Sequence, residues 1–195
     1  MDQRAAEKFV LGKLKADLPK ERTYHCFEHT RDVYDAAVAI AQHEGINGED
    51  LDLLRTAALF HDSGFILQNL DHEEASCTIV RESLPRFGYN KAQVEYICAM
   101  IMATKIPQSP RDKLSRILCD ADLDYLGRPD FFHIGGSLFE ELKSYGVLST
   151  EREWNELQLR FIEKHRYFTP TNKRTREPVK QVHLEQVRKR LEIAR

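Results

Sequence analysis

Apolar residues return at every third or fourth position through almost the whole chain, and no stretch alternates apolar and polar residues as a half-buried strand would. That period restricts the chain to packed helices. Phe9, Val10, Leu14 and Leu18 mark a first amphipathic helix, ended by Pro19. A second runs from about Cys26 to Glu44, with Val33, Ala37, Ile40 and Ala41 on one face and Gly45 as its stop. Asn47-Gly48 opens a third, which ends at His61-Asp62. Further helices are expected from about Glu73 to Phe87, from Asn90 to just before Pro107, and after Pro110 through Leu126. Others are expected near 131–145, 150–166 and 179–194. The stretch 169–178 is rich in Thr, Pro and Arg and is expected to be a surface loop. The fold class that follows is all-α: a single domain over 1–195, a helical bundle of about nine helices.

The bulk numbers fit a water-soluble domain of ordinary composition, 195 residues with 42% hydrophobic and 31% charged. A formal net charge of -2 excludes a strongly basic nucleic-acid binder, so nucleic acid is not expected as a partner. Basic residues do outnumber acids from Lys173 to Arg195, which reads as a solvated terminal helix and its approach rather than a binding surface. Cys26, Cys77, Cys98 and Cys119 form no C-x-x-C pair and sit in apolar helical text, as buried reduced thiols do. The N-terminus has no apolar signal core and no run is long enough to cross a membrane, so a cytoplasmic location is expected. Association with further copies of the chain is left open.

One pair breaks the pattern. His61-Asp62 closes the apolar run Leu53, Leu54, Ala57, Ala58, Leu59, Phe60 and is followed by the breaker Ser63-Gly64. Polar side chains at the end of a buried helix need partners, because water does not reach them. Adjacent helical residues diverge by about 100°, so both can turn to one ion only where the helix is ending. Two further residues stand in similar settings: His29, one turn beyond His25, and Asp122, within Cys119-Asp120-Ala121-Asp122-Leu123-Asp124. Asp122 is preferred over Asp120 and Asp124, which lie one turn apart and either orient a ligand or face solvent. His25 is read as a helix-start or supporting residue. His43, His133, His165 and His183 have no partner at ligand spacing, and the aromatic group Tyr145, Trp154, Phe161, Tyr167 and Phe168 reads as core. Two imidazoles and two carboxylates suit a divalent Mn, Fe, Co, Zn or Mg ion, with open positions for water and a phosphate oxygen.

The order His29, His61-Asp62, Asp122 resembles the HD superfamily of metal-dependent phosphohydrolases. The resemblance is carried by Tyr24-His25-Cys26-Phe27-Glu28-His29-Thr30, Ala58-Leu59-Phe60-His61-Asp62 and Ile117-Leu118-Cys119-Asp120-Ala121-Asp122-Leu123. It covers an HD-like core of about 20–130, with 131–195 as a helical extension. It implies metal ligands at His29, His61, Asp62 and Asp122, with Asp62 also catalytic, and hydrolysis of a small phosphate ester such as a nucleotide by metal-activated water. Whether a phosphomonoester or a phosphodiester is cleaved stays open. Ser63-Gly64-Phe65 lacks the acid that several nucleotide-cleaving members place after the pair, which keeps an alternative: an HD-type signalling module that binds metal or nucleotide with little turnover. Few histidines follow the pair, so one ion is expected, with His72-Glu73 in reserve for a second. His72 and Lys105 are the expected substrate-binding residues, Lys105 through its ammonium on the phosphate.

Overall fold

Five of the helices among the described residues begin behind a side chain that accepts a free amide of the first turn. In the computed structural model, which describes residues 1–193, Asp2 caps α1 (Gln3–Asp17) in this way. Cys26 precedes α2 (Phe27–His43) and Asn47 precedes α3 (Gly48–Phe60). Then come α4 (His72–Ser83), α5 (Lys91–Thr104) behind a reciprocal Asn90–Gln93 capping box, and α6 (Lys113–Asp122) capped by Asp112. The remainder comprises α7 (Phe131–Ser144), α8 (Glu151–Lys164) capped by Thr150, α9 (Pro170–Thr175) and α10 (Glu177–Ile193). No strand occurs among the described residues, and no helix there is long and apolar enough to cross a membrane.

The boundaries differ from expectation in three places. The helix expected to reach Phe87 stops at Ser83 and tightens into a 3₁₀ turn, Leu84–Phe87, because Pro85 has no amide to continue the ladder. The helix expected to run through Leu126 stops at Asp122, before a second 3₁₀ turn over Asp124–Gly127. Asp122 therefore stands at a helix end rather than inside one. Finally, 169–178 is not a surface loop: it contains α9 and the start of α10, which brings the count among the described residues to ten helices rather than nine. Thr169 caps α9, Pro170 supplies its first residue, and the carboxylate of Asp120 draws the segment inward. That carboxylate accepts the amides of Phe168 and Thr169 at 2.8 Å each and the Thr169 hydroxyl at 2.6 Å. Burial pushes the Asp120 carboxyl up to about 6 in spite of these donors.

Two apolar clusters form. The larger gathers the inner faces of α1 to α6, including Val10, Leu54, Phe60, Ile97, Met100 and Leu118. The smaller joins Tyr24, Leu123, Tyr125 and Leu126 to Phe131 on α7, Ile162 on α8, Tyr167, and Leu184 and Val187 on α10. α2 packs against both α3 and α6, which brings their ends together. The basic C-terminal stretch is only partly a solvated face. Lys180 is fully buried with its ammonium 2.8 Å from the His165 carbonyl, and Arg176 donates to Asp124 at 2.8 Å. Arg195 lies outside the described residues.

The joint after α3 is fixed by contact rather than by pairing alone. Ser76 on α4 donates its hydroxyl to the His61 carbonyl and accepts the Gly64 amide, both at 2.7 Å. A Cβ on Gly64 would lie 1.9 Å from the His72 carbonyl oxygen and 2.6 Å from the Ser76 nitrogen, both backbone atoms. Gly64→Ala is thus expected to push α4 away from the helix end that carries His61 and Asp62. Overpacking of this kind costs about 1–3 kcal/mol, and more where backbone must move. Chemical denaturation of the variant, with no loss of midpoint, would show that the joint is looser than this.

Candidate metal centre

Three helix ends converge on one point. His29 comes from the first turn of α2, His61 and Asp62 from the break between α3 and the 3₁₀ turn Ser63–Ile66, and Asp122 from the last position of α6. His29, His61 and Asp122 each present a ligand atom within 4.8 Å of the others. His29 Nε2 lies 3.4 Å from Asp62 Oδ2 and 3.4 Å from Asp122 Oδ1. His61 Nε2 lies 3.2 Å from Asp62 Oδ2 and 3.4 Å from Asp122 Oδ1. All four sequence-predicted ligands are therefore brought together.

His61 Nδ1 stands 2.8 Å from the Ala58 carbonyl, which only accepts, so the ring proton sits on Nδ1 and donates there. That leaves the Nε2 lone pair of the neutral ring facing the cluster, the arrangement a metal-binding histidine needs. His29 Nε2, His61 Nε2 and Asp62 Oδ2 are all buried and have no hydrogen-bond partner among the described residues. Three buried polar atoms left unpaired at one point carry a large desolvation cost unless something else occupies them. A divalent cation satisfies all three at once, and the N/O donor set is one that such ions take. The residues present fit a metal.

Charge is organised around the same point. Burial pushes the His29 imidazole down, but Asp122 and Asp62 outweigh it and hold the group up at about 9. His61 is raised for the same reason. Burial pushes Asp62 and Asp122 up, yet the two imidazoles win, holding Asp62 well below the usual carboxylate range and Asp122 at about 2. The carboxylates stay ionised, and a field that attracts a proton to each imidazole attracts a cation as well.

Around this cluster lies a cavity of about 220 Å³. His72 lines it, stacked on Phe65 with ring centroids 3.9 Å apart, and its Nε2 is 3.4 Å from both Asp62 Oδ1 and Glu73 Oε1. Glu73 thus supplies, from α4, a carboxylate that Ser63-Gly64 does not. Lys105 is not brought in. Its ammonium lies 2.7 Å from Asp71 and 2.7 Å from Glu74 on the exterior, while its neighbours Thr104 and Ile106 line the cavity. Neither Asp120 nor Asp124 faces solvent: Asp120 holds α9 as described, and Asp124 accepts from Asn172 at 3.0 Å and Arg176 at 2.8 Å. His165 and His183 are buried, and His43 and His133 are exposed.

Sequence reasoning missed two things here. Glu141 on α7 is buried and accepts from Arg22 at 2.7 Å, from the amides of Tyr24 and His25 at 2.8 and 2.9 Å, and pairs with His25 Nδ1 at 2.5 Å. His25 is accordingly held from behind while it lines the cavity. Trp154 and Phe161, read as core, form with Leu157 an apolar wall of that cavity, and Gln158 stands among them. Their shared face on α8 is visible in the i, i+4 spacing; what it faces is not.

The HD domain, as a protein-family model, matches residues 26–124. No curated protein matches the chain by sequence. Two solved structures share the fold. One is from an uncultured Thermotogales bacterium and is described as a predicted HD superfamily hydrolase: TM-score 0.62, 21% identity, 96% of this chain and 92% of that one covered. The other is Bacillus subtilis YpgQ in complex with ADP: TM-score 0.64, 22% identity, 96% of this chain and 94% of that one covered.

Proposed function

The chain belongs to the HD domain family, and from that membership we propose that it is a metal-dependent phosphohydrolase cleaving a small phosphate ester, a nucleotide, with water. The observation that carries the reading is the set of three buried, unpaired atoms, His29 Nε2, His61 Nε2 and Asp62 Oδ2, gathered at one point with Asp122. In this reading His29, His61, Asp62 and Asp122 hold one divalent ion. Bound there, the ion would lower the pKa of a water and withdraw charge from the phosphoryl oxygens.

The chain's own groups do the rest. Asp62 faces the imidazoles of His29 and His61 through Oδ2 and His72 through Oδ1, so it links the ligand cluster to the group nearest the substrate. His72 sits 3.4 Å from both Asp62 and Glu73, and it opens onto the cavity. It is placed to hydrogen-bond the phosphate and to pass a proton to the departing oxygen. No Lys or Arg lines this cavity among the described residues, so Lys105 has no part in the reading. The apolar wall of Phe131, Trp154 and Phe161 excludes water behind the substrate and suits a flat ring. The nucleotide class draws its support from that wall and from the ADP held by a protein of the same fold.

Release of phosphate and pyrophosphate across a panel of nucleoside mono-, di-, tri- and cyclic phosphates, with Mn²⁺, Mg²⁺, Co²⁺ and Zn²⁺ in turn, tests this. Turnover is expected with at least one pair, and its loss in Asp62→Ala with helix content unchanged by circular dichroism. Tight nucleotide binding without turnover under every ion would overturn the reading in favour of an HD-type binding module.

A further inference from the structure

Gln158 is a polar group of the cavity beside the ligand cluster that neither the metal nor the phosphate explains. Gln158 lies on α8, four residues after Trp154 and one turn before Ile162, and all three line the cavity. It is 8% exposed, and its Oε1 has no hydrogen-bond partner among the described residues. The other residues of α8 that line the cavity, Trp154, Leu157, Phe161 and Ile162, are apolar. Opposite it lies Gly135 of α7, where a Cβ would make ordinary contact, 3.6 Å from Gln158 Nε2 and 3.6 Å from the Trp154 ring. A buried amide among apolar walls is disfavoured unless something pairs with it.

We infer that Gln158 determines specificity at this site, its amide pairing with the hydrogen-bonding edge of a nucleobase that lies against Trp154 and Phe161. The inference rests on the phosphohydrolase reading and adds to it the part of the substrate away from the phosphorus. A glutamine amide sets a donor and an acceptor side by side. That is the complement of a base edge carrying an N–H next to a ring nitrogen or a carbonyl. Whichever way the amide is turned, one end is left for a ligand. An aromatic wall holds any base by stacking and does not tell one from another, whereas a paired amide does. A sugar phosphate without a base reaches neither.

The test compares the wild type with Gln158→Leu, which keeps the volume and removes the amide. Affinities for AMP, GMP, CMP, UMP and ribose 5-phosphate are measured by calorimetry with Mn²⁺ present. Quenching of Trp154, the single tryptophan of the chain, reports whether the base reaches the wall. The wild type is expected to separate the four nucleotides. Gln158→Leu is expected to shrink that separation by about three- to tenfold, the worth of one neutral hydrogen bond. The preference for nucleotides over ribose 5-phosphate is expected to survive, because stacking is untouched. The thermal midpoint of the ligand-free variant is expected to hold or rise, since an unpaired buried amide has been replaced by an apolar group; a structural glutamine would lower it. An unchanged separation among the four nucleotides, or a lowered midpoint, overturns the role given to Gln158 while leaving hydrolysis intact. If the wild type neither binds nor cleaves any of these phosphates, the phosphohydrolase reading fails and this inference fails with it.

Discussion

Asp62→Ala is expected to abolish the response of this protein to divalent metal. Anything that binds only the folded chain stabilises it by RT ln(1 + [L]/Kd), about 2.7 kcal/mol at a hundredfold excess over Kd. For a domain of this length that amounts to roughly 5–11 °C in the unfolding temperature. Asp62 Oδ2 lies within 3.4 Å of the His29 and His61 imidazoles and is buried without another partner. Loss of a hydrogen bond behind a ligand weakens metal binding by about 10–100-fold, and loss of a proposed ligand is expected to exceed that. At the Mn²⁺ concentration that stabilises the wild type, the variant would then gain no more than about 0.4 kcal/mol. The comparison must be of increments on adding metal. Removing a carboxylate that faces two raised imidazoles lowers the metal-free stability by itself. Differential scanning calorimetry with and without Mn²⁺ reads the increment, and elemental analysis reads the bound ion. An equal rise in Asp62→Ala would remove this residue from the proposed ligand set.

The second large effect is expected away from the cluster. Glu141 carries four hydrogen-bonded partners while buried, and Arg22, one of them, is only 7% exposed. Removing one member of such a buried pair leaves the other charge uncompensated, at about 3–5 kcal/mol. Glu141→Ala also strips the amides of Tyr24 and His25 of their acceptor. The unfolding temperature is expected to fall by roughly 6–20 °C. The residue also imposes an acid dependence. Burial pushes its carboxyl up, but His25 and Arg22 outweigh that and hold it at about 2, against an ordinary value of 4.5. The unfolded chain therefore binds the extra proton between those limits. The contribution is complete above pH 4.5 and is lost as the pH falls toward 2. Urea titrations at pH 7, 4.5 and 3 check this: Glu141→Gln should lack that part of the acid slope, and the same slope in both proteins would contradict the assignment.

Glu141 also shows where reading the sequence stops. It stands more than a hundred residues from its partners, in a Glu140-Glu141 pair that reads as solvated helix surface. Asp120 is similar: its three donors come from Phe168 and Thr169, and without that contact 169–178 reads as loop. The apolar face of Trp154, Leu157 and Phe161 is periodic in the chain, but a face filled with core and a face lining a cavity have the same period. Lys105 stands at a helix end where a phosphate contact is plausible by position, and only the placement of Asp71 and Glu74 shows its charge already engaged.

What the sequence determined alone is the part that acts over one or two turns. Helix periodicity, the stops at Pro19 and Gly45, and a His-Asp pair at a helix end are set by contacts three or four residues apart. They sufficed for an all-helical chain, and the motifs around His29, His61, Asp62 and Asp122 carried the resemblance that implies those four as candidate ligands. The tertiary structure alone decided that three helix ends meet within a few ångströms, that Lys105 stays outside while His72 and Glu73 border the cluster, and that α7 and α8 wall its cavity around Gln158. Those outcomes depend on how helices cross and on which buried charge finds which donor, across separations of tens of residues that leave no period in the chain.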